Sequence, residues 1–376
     1  MKIIFDVYSR LLNVIKSWQS REKIIIIESD DWGSIRTSSR SAYSKLLKKG
    51  YNMNASKYSL DALESNIDLQ ELFNVLSNHR DSEGNSACFT ANMVMTNPDF
   101  KKIKDADFQE YLIEPVSKTL IKQKDRDRVE DLWNEGFAER IFCPQLHARE
   151  HIRFWEWMKD LKSAKQEALQ TFNLEMCGVP LRCSKVSTSY FLPLFVDDSV
   201  LYKENINQET LIKEGANLFK NVFKFESKST IAPGCGWTSK TEEIWALNGV
   251  KYIQGGLLQE HHYANSVKYI PHYLGEKSQI GGFLYLVRNC LFEPSDSKDE
   301  EYWKITFKQI EQAFSIKTPA IISSHRVNYI GSICRNNREH SLRQLDLLLK
   351  AIVKRWPEVK FLNSTQLGDK IVKTTN

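Results

Sequence analysis

The chain has 376 residues, 41% hydrophobic and 26% charged, the composition of an ordinary globular protein rather than a disordered or fibrous one. Its 52 basic and 47 acidic residues leave a formal net charge of +5, too balanced, and with its cations too scattered, to argue for a nucleic-acid partner. Seven cysteines, odd in number and without a CxxC, fit reduced thiols in a cytoplasmic protein better than a disulfide framework or a cysteine zinc site.

No early apolar run is long enough for the core of a signal peptide, and no later one approaches the ~18 residues of a membrane span. Phe5, Tyr8, Leu11, Leu12, Ile15 and Trp18 recur at helical spacing. Residues 1–22 are therefore expected to form an amphipathic helix, about residues 4–18, that docks by this face on the remainder of the chain. Contact with a membrane surface is the alternative, given Lys2, Arg10 and Lys16.

Ile24 to Ile27 are β-branched and apolar, the mark of a strand buried on both faces. This strand runs into Glu28-Ser29-Asp30-Asp31-Trp32-Gly33, so two carboxylates stand where it ends. Neighbouring strand residues point to opposite sides, which lets one aspartate bind a cation while the other takes a proton. The plainer alternative is that both only cap the turn at Gly33. Residues 34–58 read as a long polar loop, and a helix opens at Asn66. Ala87–Asn92 reads as a strand, followed by helices over 107–122 and 126–134, the second ended by Gly136.

Ile141–Leu146 is a further strand, leading into His147-Ala148-Arg149-Glu150-His151 and a helix through Phe154, Trp155 and Met158. Residues 161–205 show little period and read as an insertion of a helix and loops. Later elements are a helix opened by Asn207, a strand over 229–232, a helix capped by Thr238 and a strand over 250–253. A capping box at 297–300 precedes another helix. A strand over 319–322 ends at Ser323-Ser324-His325, a long helix stops at Pro357, and a strand over 359–362 precedes a short helix from Ser364. Strands and helices alternate at the spacing of βα units, with no repeat and no linker. Residues 23–376 are accordingly read as one α/β barrel.

The chemistry gathers at strand ends. His147 and His151 are four apart, which brings two imidazoles to one face of a helix or of a loop entering one. Their ring nitrogens suit zinc and similar divalent metals, and the third ligand is commonly a carboxylate, for which Asp31 is the candidate. Each histidine alone could equally be a solvated or hydrogen-bonded side chain. Ala148 rules out the HExxH motif of metalloproteases.

The order of motifs, Asp30-Asp31-Trp32-Gly33, Ala87-Cys-Phe-Thr90, His147 to His151, Ala232-Pro-Gly-Cys-Gly236, Ile321 to His325 and Lys360 to Leu367, resembles the polysaccharide deacetylase family of carbohydrate esterases over about residues 23–368. The resemblance implies a distorted (β/α)7 barrel that removes an acetyl group, N-linked in preference to O-linked, from an acetylated sugar or glycan. It implies Asp30 as general base, Asp31, His147 and His151 as ligands of a divalent metal, and His325 as general acid. Zinc is the expected metal, with cobalt and nickel as alternatives. Three departures stand out. Trp32 intervenes before Gly33, Ala232 stands where the family carries an arginine that supports the base, and Ser323 replaces a leucine of the acetyl pocket. Arg36, Arg149 and Arg326 are the candidates to replace that arginine. Trp32, Arg149, Pro233, Trp237 and Arg326 are the candidate substrate contacts, and Tyr329 and the pair His261-His262 also flank the motifs. The rival readings are a non-catalytic glycan-binding barrel, which Ala232 would favour, and a hydrolase of a non-sugar amide.

Overall fold

The structure is a computed structural model describing residues 2–185 and 189–375, with side chains from Tyr8 onward. Strand β1 (Ile24–Trp32) is buried along its whole length. Ile25 and Ile27 pack outward with Leu69 and Leu72 of the helix Asn66–Ser77 and with Leu345 and Leu349 of the helix Arg335–Arg355. Ile24 and Ile26 pack inward with Leu284, Leu286 and Ile321, and the final helix Ser364–Thr375 adds Leu367 and Ile371 to this inner cluster. The isoleucine run is thus explained by two apolar environments, one on each face of the strand.

In chain order the remaining strands are β2 (Phe89–Val94), β3 (Thr96–Pro98), β4 (Ile113–Pro115), β5 (Phe142–Ala148), β6 (Ser229–Ile231) and β7 (Tyr252–Gly255). They continue with β8 (Leu258–His262), β9 (Val267–Pro271), β10 (Leu284–Val287), β11 (Cys290–Leu291), β12 (Ala320–His325) and β13 (Lys360–Phe361). The main sheet runs β10-β7-β6-β5-β2-β1-β12-β11, with every pairing parallel and β13 added beside the start of β1. Its two edges, β10 and β11, are joined by only Arg288 and Asn289. The Arg288 N–H donates to the Gly255 carbonyl on one side at 2.8 Å, and the Asn289 N–H to the Ile321 carbonyl on the other at 3.0 Å. β10 and β11 are therefore halves of one stave, and the sheet closes as a distorted (β/α)7 barrel. The pairs β3–β4 and β8–β9 are separate antiparallel ribbons.

Several local expectations need correction. Residues 34–58 contain a helix, Arg40–Lys48, whose cap Ser39 accepts the Ala42 N–H, and two 3-10 turns. The helix expected over 107–122 is split. Asp107 and Phe108 take positive φ (49° and 57°), ending the helix Phe100–Asp105, and β4 precedes the helix Val116–Lys122. Gly136 lies inside the helix Val129–Ala138 rather than at its end. The capping box at 297–300 is not formed: the helix begins at Trp303, and Ser297 Oγ accepts the Asp299 N–H instead. The insertion over 161–205 includes helices Gln166–Phe172 and Asp198–Lys203, and residues 186–188 lie outside the described residues.

The first helix, Lys2–Lys16, packs beside the β8–β9 ribbon, but not by the expected face. Phe5 has its side chain outside the described residues. Tyr8, Leu11 and Ile15 point to solvent, while Leu12 and Trp18 are half-buried. The contact includes a polar one, Asn13 Nδ2 donating to the His272 carbonyl at 2.7 Å.

Candidate metal and acid–base site

The side chains of Glu28 and Asp30 follow the inward parity of Ile24 and Ile26. Simple alternation would send Asp31 outward. Instead the register of β1 against β2 slips between Ser29 and Trp32, and Asp31 takes φ 76°. A bulge of this kind re-aims a side chain, and aspartate tolerates the left-handed region better than most residues. Both aspartates thereby line one cavity. Gly33 completes the turn at φ 84°, where a Cβ would sit 2.4 Å from the Val94 carbonyl oxygen.

His147, at the end of β5, has its Nδ1 2.8 Å from the Ile231 carbonyl, which makes that nitrogen the donor and leaves the Nε2 lone pair free to ligate. Nε2 stands 3.7 Å from Asp31 Oδ1, and His151 Nε2 stands 3.4 Å from the same oxygen. One ligand atom from each of the three lies within 4.8 Å of the others. Arg36 donates to Asp31 Oδ2 at 3.0 Å, but Oδ1 is buried with no hydrogen-bond partner. Burial pushes the imidazolium of His151 down to about 3, leaving a neutral ring. Burial also works against ionised Asp31, but the Arg36 guanidinium beside it outweighs this and holds the carboxyl well below its usual range. An orphaned carboxylate oxygen facing two imidazole nitrogens is a donor set that fits a divalent cation.

Asp30 is held differently. Arg288 grips both of its oxygens at 2.7 Å, and Asn92 Nδ2 donates to Oδ1 at 2.7 Å. Burial alone would raise the Asp30 pKa, but the guanidinium more than reverses it. Arg288 also donates to Glu28 at 2.6 Å and to Ser323 Oγ at 3.2 Å. His325, opposite Asp30 in the β1–β12 register, places Nε2 3.9 Å from Asp30 Oδ2. Its Nδ1 meets Glu293 at 2.5 Å, and Glu293 is fixed in turn by Lys57 and Asn328, each at 2.8 Å. Burial lowers the His325 pKa, but Glu293 raises it by more. The cavity around these groups measures about 1230 Å³ and is also lined by Tyr58 and Phe191, which sandwich Arg36 at 4.5 and 4.3 Å.

Asp30, Asp31, His147, His151 and His325 therefore converge on one cavity, whereas Trp32, Arg149, Pro233, Trp237 and Arg326 do not line it. Trp32 and Tyr329 are fully buried core, stacked on each other at 6.4 Å. Trp237 is core too, its Nε1 on Glu242 at 2.9 Å, and Pro233 is buried in a 3-10 turn. Arg149 is spent on Glu150 and Glu214. Arg326 is buried between Asp61 and Glu64; Glu64 accepts the Gly33 N–H and Asp61 pairs with Arg36, so Arg326 braces the Asp31 turn from behind. His261 and His262, on the β8–β9 ribbon, pair with Asp197 and Glu260 and do not line the cavity.

None of the three arginines proposed for the Ala232 position touches Asp30; Arg288 does. Ser323 belongs to the same arrangement, because its hydroxyl accepts from Arg288. Arg288, Asn92 and Glu293 escaped the sequence reading. The run Phe283 to Val287 was the available signal, since a strand there would have placed Arg288 at its end.

No family model and no curated protein matches the chain. Among solved structures, it is similar to a protein from Mycobacterium smegmatis described as a polysaccharide deacetylase, at 10% identity, with a TM-score of 0.43, covering 96% of this chain and 94% of that one. It is also similar to a protein described as a glycoside hydrolase/deacetylase from Parabacteroides distasonis, at 7% identity, TM-score 0.49, covering 95% and 73%. A third likeness is to the Puue allantoinase, at 11% identity, TM-score 0.37, covering 94% and 91%. Likeness at this level says nothing of the reaction, which has to be read from the side chains.

Proposed function

We propose that the chain is a metal-dependent hydrolase that removes an acetyl group from an acetylated sugar or glycan, N-acetyl in preference to O-acetyl. The observation that carries this reading is the buried, unpartnered Asp31 Oδ1 between His147 and His151, beside an ionised Asp30 and a carboxylate-braced His325. Asp31, His147 and His151 would hold the cation, with zinc first and cobalt or nickel as alternatives. When bound, such a cation lowers the pKa of a water to ~7 and polarises an acyl carbonyl.

Asp30 takes the proton from the attacking water. Arg288 keeps it ionised at neutral pH and fixes its orientation; the same ion pair makes it a modest base, which yields its proton again readily. As the carbon–nitrogen bond breaks, His325 Nε2 delivers a proton to the leaving nitrogen, giving an amine and acetate. General acid catalysis of this kind contributes roughly 10²–10⁴ in rate. Glu293 supports the protonated ring. A cavity of about 1230 Å³ exceeds the roughly 300–1,000 Å³ of small-molecule sites, so several sugar units fit better than one. The non-catalytic reading drew on Ala232, and Arg288 removes that support.

Acetate release from partly N-acetylated oligosaccharides, with and without chelator, tests the proposal. Release should depend on metal, and Asp30→Asn should lower it by about 10² or more while metal content stays unchanged. Wild-type release by Asp30→Asn, or hydrolysis of simple non-sugar amides alone, would overturn the reading.

A further inference from the structure

Over its described side chains, from Tyr8 on, the helix Lys2–Lys16 is turned the wrong way round for an element whose only partner is its own barrel. Ser9, Asn13 and Ser17 recur every four residues, and the protein covers this polar row together with parts of Leu12 and Trp18. Ser9 is fully buried, Asn13 donates to the His272 carbonyl at 2.7 Å, and Ser17 Oγ accepts the Leu274 N–H at 3.3 Å. On the opposite side Tyr8, Leu11, Val14 and Ile15 are 52%, 57%, 48% and 68% exposed. At 3.6 residues per turn these four occupy one arc of about 120°. A single exposed leucine needs no explanation, whereas an apolar stripe left outside while the polar stripe is buried does.

The charges beside this stripe select its occupant. Residues 2–22 carry four cations, Lys2, Arg10, Lys16 and Arg21, against two acids, Asp6 and Glu22, and Glu22 is already paired with Lys360 and Lys370; Arg10, Lys16 and Arg21 are exposed. A second copy of the chain docked here across a two-fold axis would set this net positive segment against its own counterpart. A bilayer with anionic headgroups offers complementary charge and a place for the apolar stripe. At 15 residues the helix is too short to cross the membrane, and no helix among the described residues is long and apolar enough to do so.

We propose that this helix lies in the interface of an anionic bilayer, with Tyr8, Leu11 and Ile15 among the acyl chains and Arg10, Lys16 and Arg21 toward the phosphates. Arg10 also lines the cavity that holds Asp30 and His325, so docking brings the mouth of the site to the membrane surface. The proposal rests on the helix and not on the reaction assigned to the cavity.

Sedimentation of the full chain with vesicles tests it. The chain should pellet with phosphatidylcholine–phosphatidylglycerol vesicles, far less with phosphatidylcholine alone, and less as salt rises. The double variant Leu11→Asp/Ile15→Asp should bind about ten-fold more weakly or worse, with an unchanged melting temperature because both side chains already face water. Without vesicles the chain should sediment as a monomer. Equal binding by the double variant, or no binding by the wild type, overturns the proposal. A dimer that the double variant dissociates also overturns it, in favour of a second copy.

Discussion

At the residue scale, the site is a set of charges each made tolerable by a partner. Glu28 and Asp30 share Arg288, Asp31 has Arg36, and His325 has Glu293. A buried ion left without its partner destabilises strongly, so these pairs are a condition of the fold as well as of the chemistry. The His325–Glu293 pair also sets a pH dependence. Burial pulls the imidazolium pKa down and Glu293 pulls it up by more, to above the ordinary value of about 6.5. If His325 acts as an acid, activity is lost as pH rises through that raised value. Glu293→Gln removes the negative charge, so the alkaline limb of the kcat/KM profile should move to lower pH. An unmoved limb would show that another group is the acid.

At the element scale, small backbone departures decide what regular geometry would get wrong. The bulge at Asp31 sets two adjacent side chains on one face of a strand whose pleat would separate them. Gly136 is the helical counterpart. A Cβ there would lie 2.7 Å from the ring of Phe73 and 2.8 Å from the Cβ of Phe142, so the glycine lets helix Val129–Ala138 press onto β5. Helix propensity favours alanine over glycine by about 1 kcal/mol, while overpacking costs about 1–3 kcal/mol. Gly136→Ala should therefore lower the urea midpoint despite its better propensity, with an unchanged m-value. A raised midpoint would mean that the helix and strand can move apart at little cost.

At the scale of the whole molecule, the proposed ligands come from two strands, which would couple cation binding to folding. Asp31 comes from β1 and His147 from β5, two staves apart, so the unfolded chain offers no such site. A cation at 100 times its Kd stabilises the folded state by about 2.7 kcal/mol. Chelation should lower the melting temperature, added zinc should restore it, and His147→Ala should abolish the chelator response together with the bound metal. An equal chelator effect in both proteins would place the metal elsewhere.

Periodicity, β-branching and capping residues determined the alternation of strands and helices, because these are properties of a few neighbouring positions. Motif order likewise marked Asp30, Asp31, His147, His151 and His325 as the residues to gather. What the chain could not announce was anything set by contacts distant in sequence. Arg288 reaches Asp30 only because β10 and β11 close the barrel beside β12. Trp32, Trp237 and Arg326 sit near motifs in sequence and yet behind them in space. The first helix shows the difference most plainly: its amphipathic spacing was legible in the sequence, but the bonds that Asn13 and Ser17 make to backbone groups some 260 residues away, just past the β8–β9 ribbon, were not.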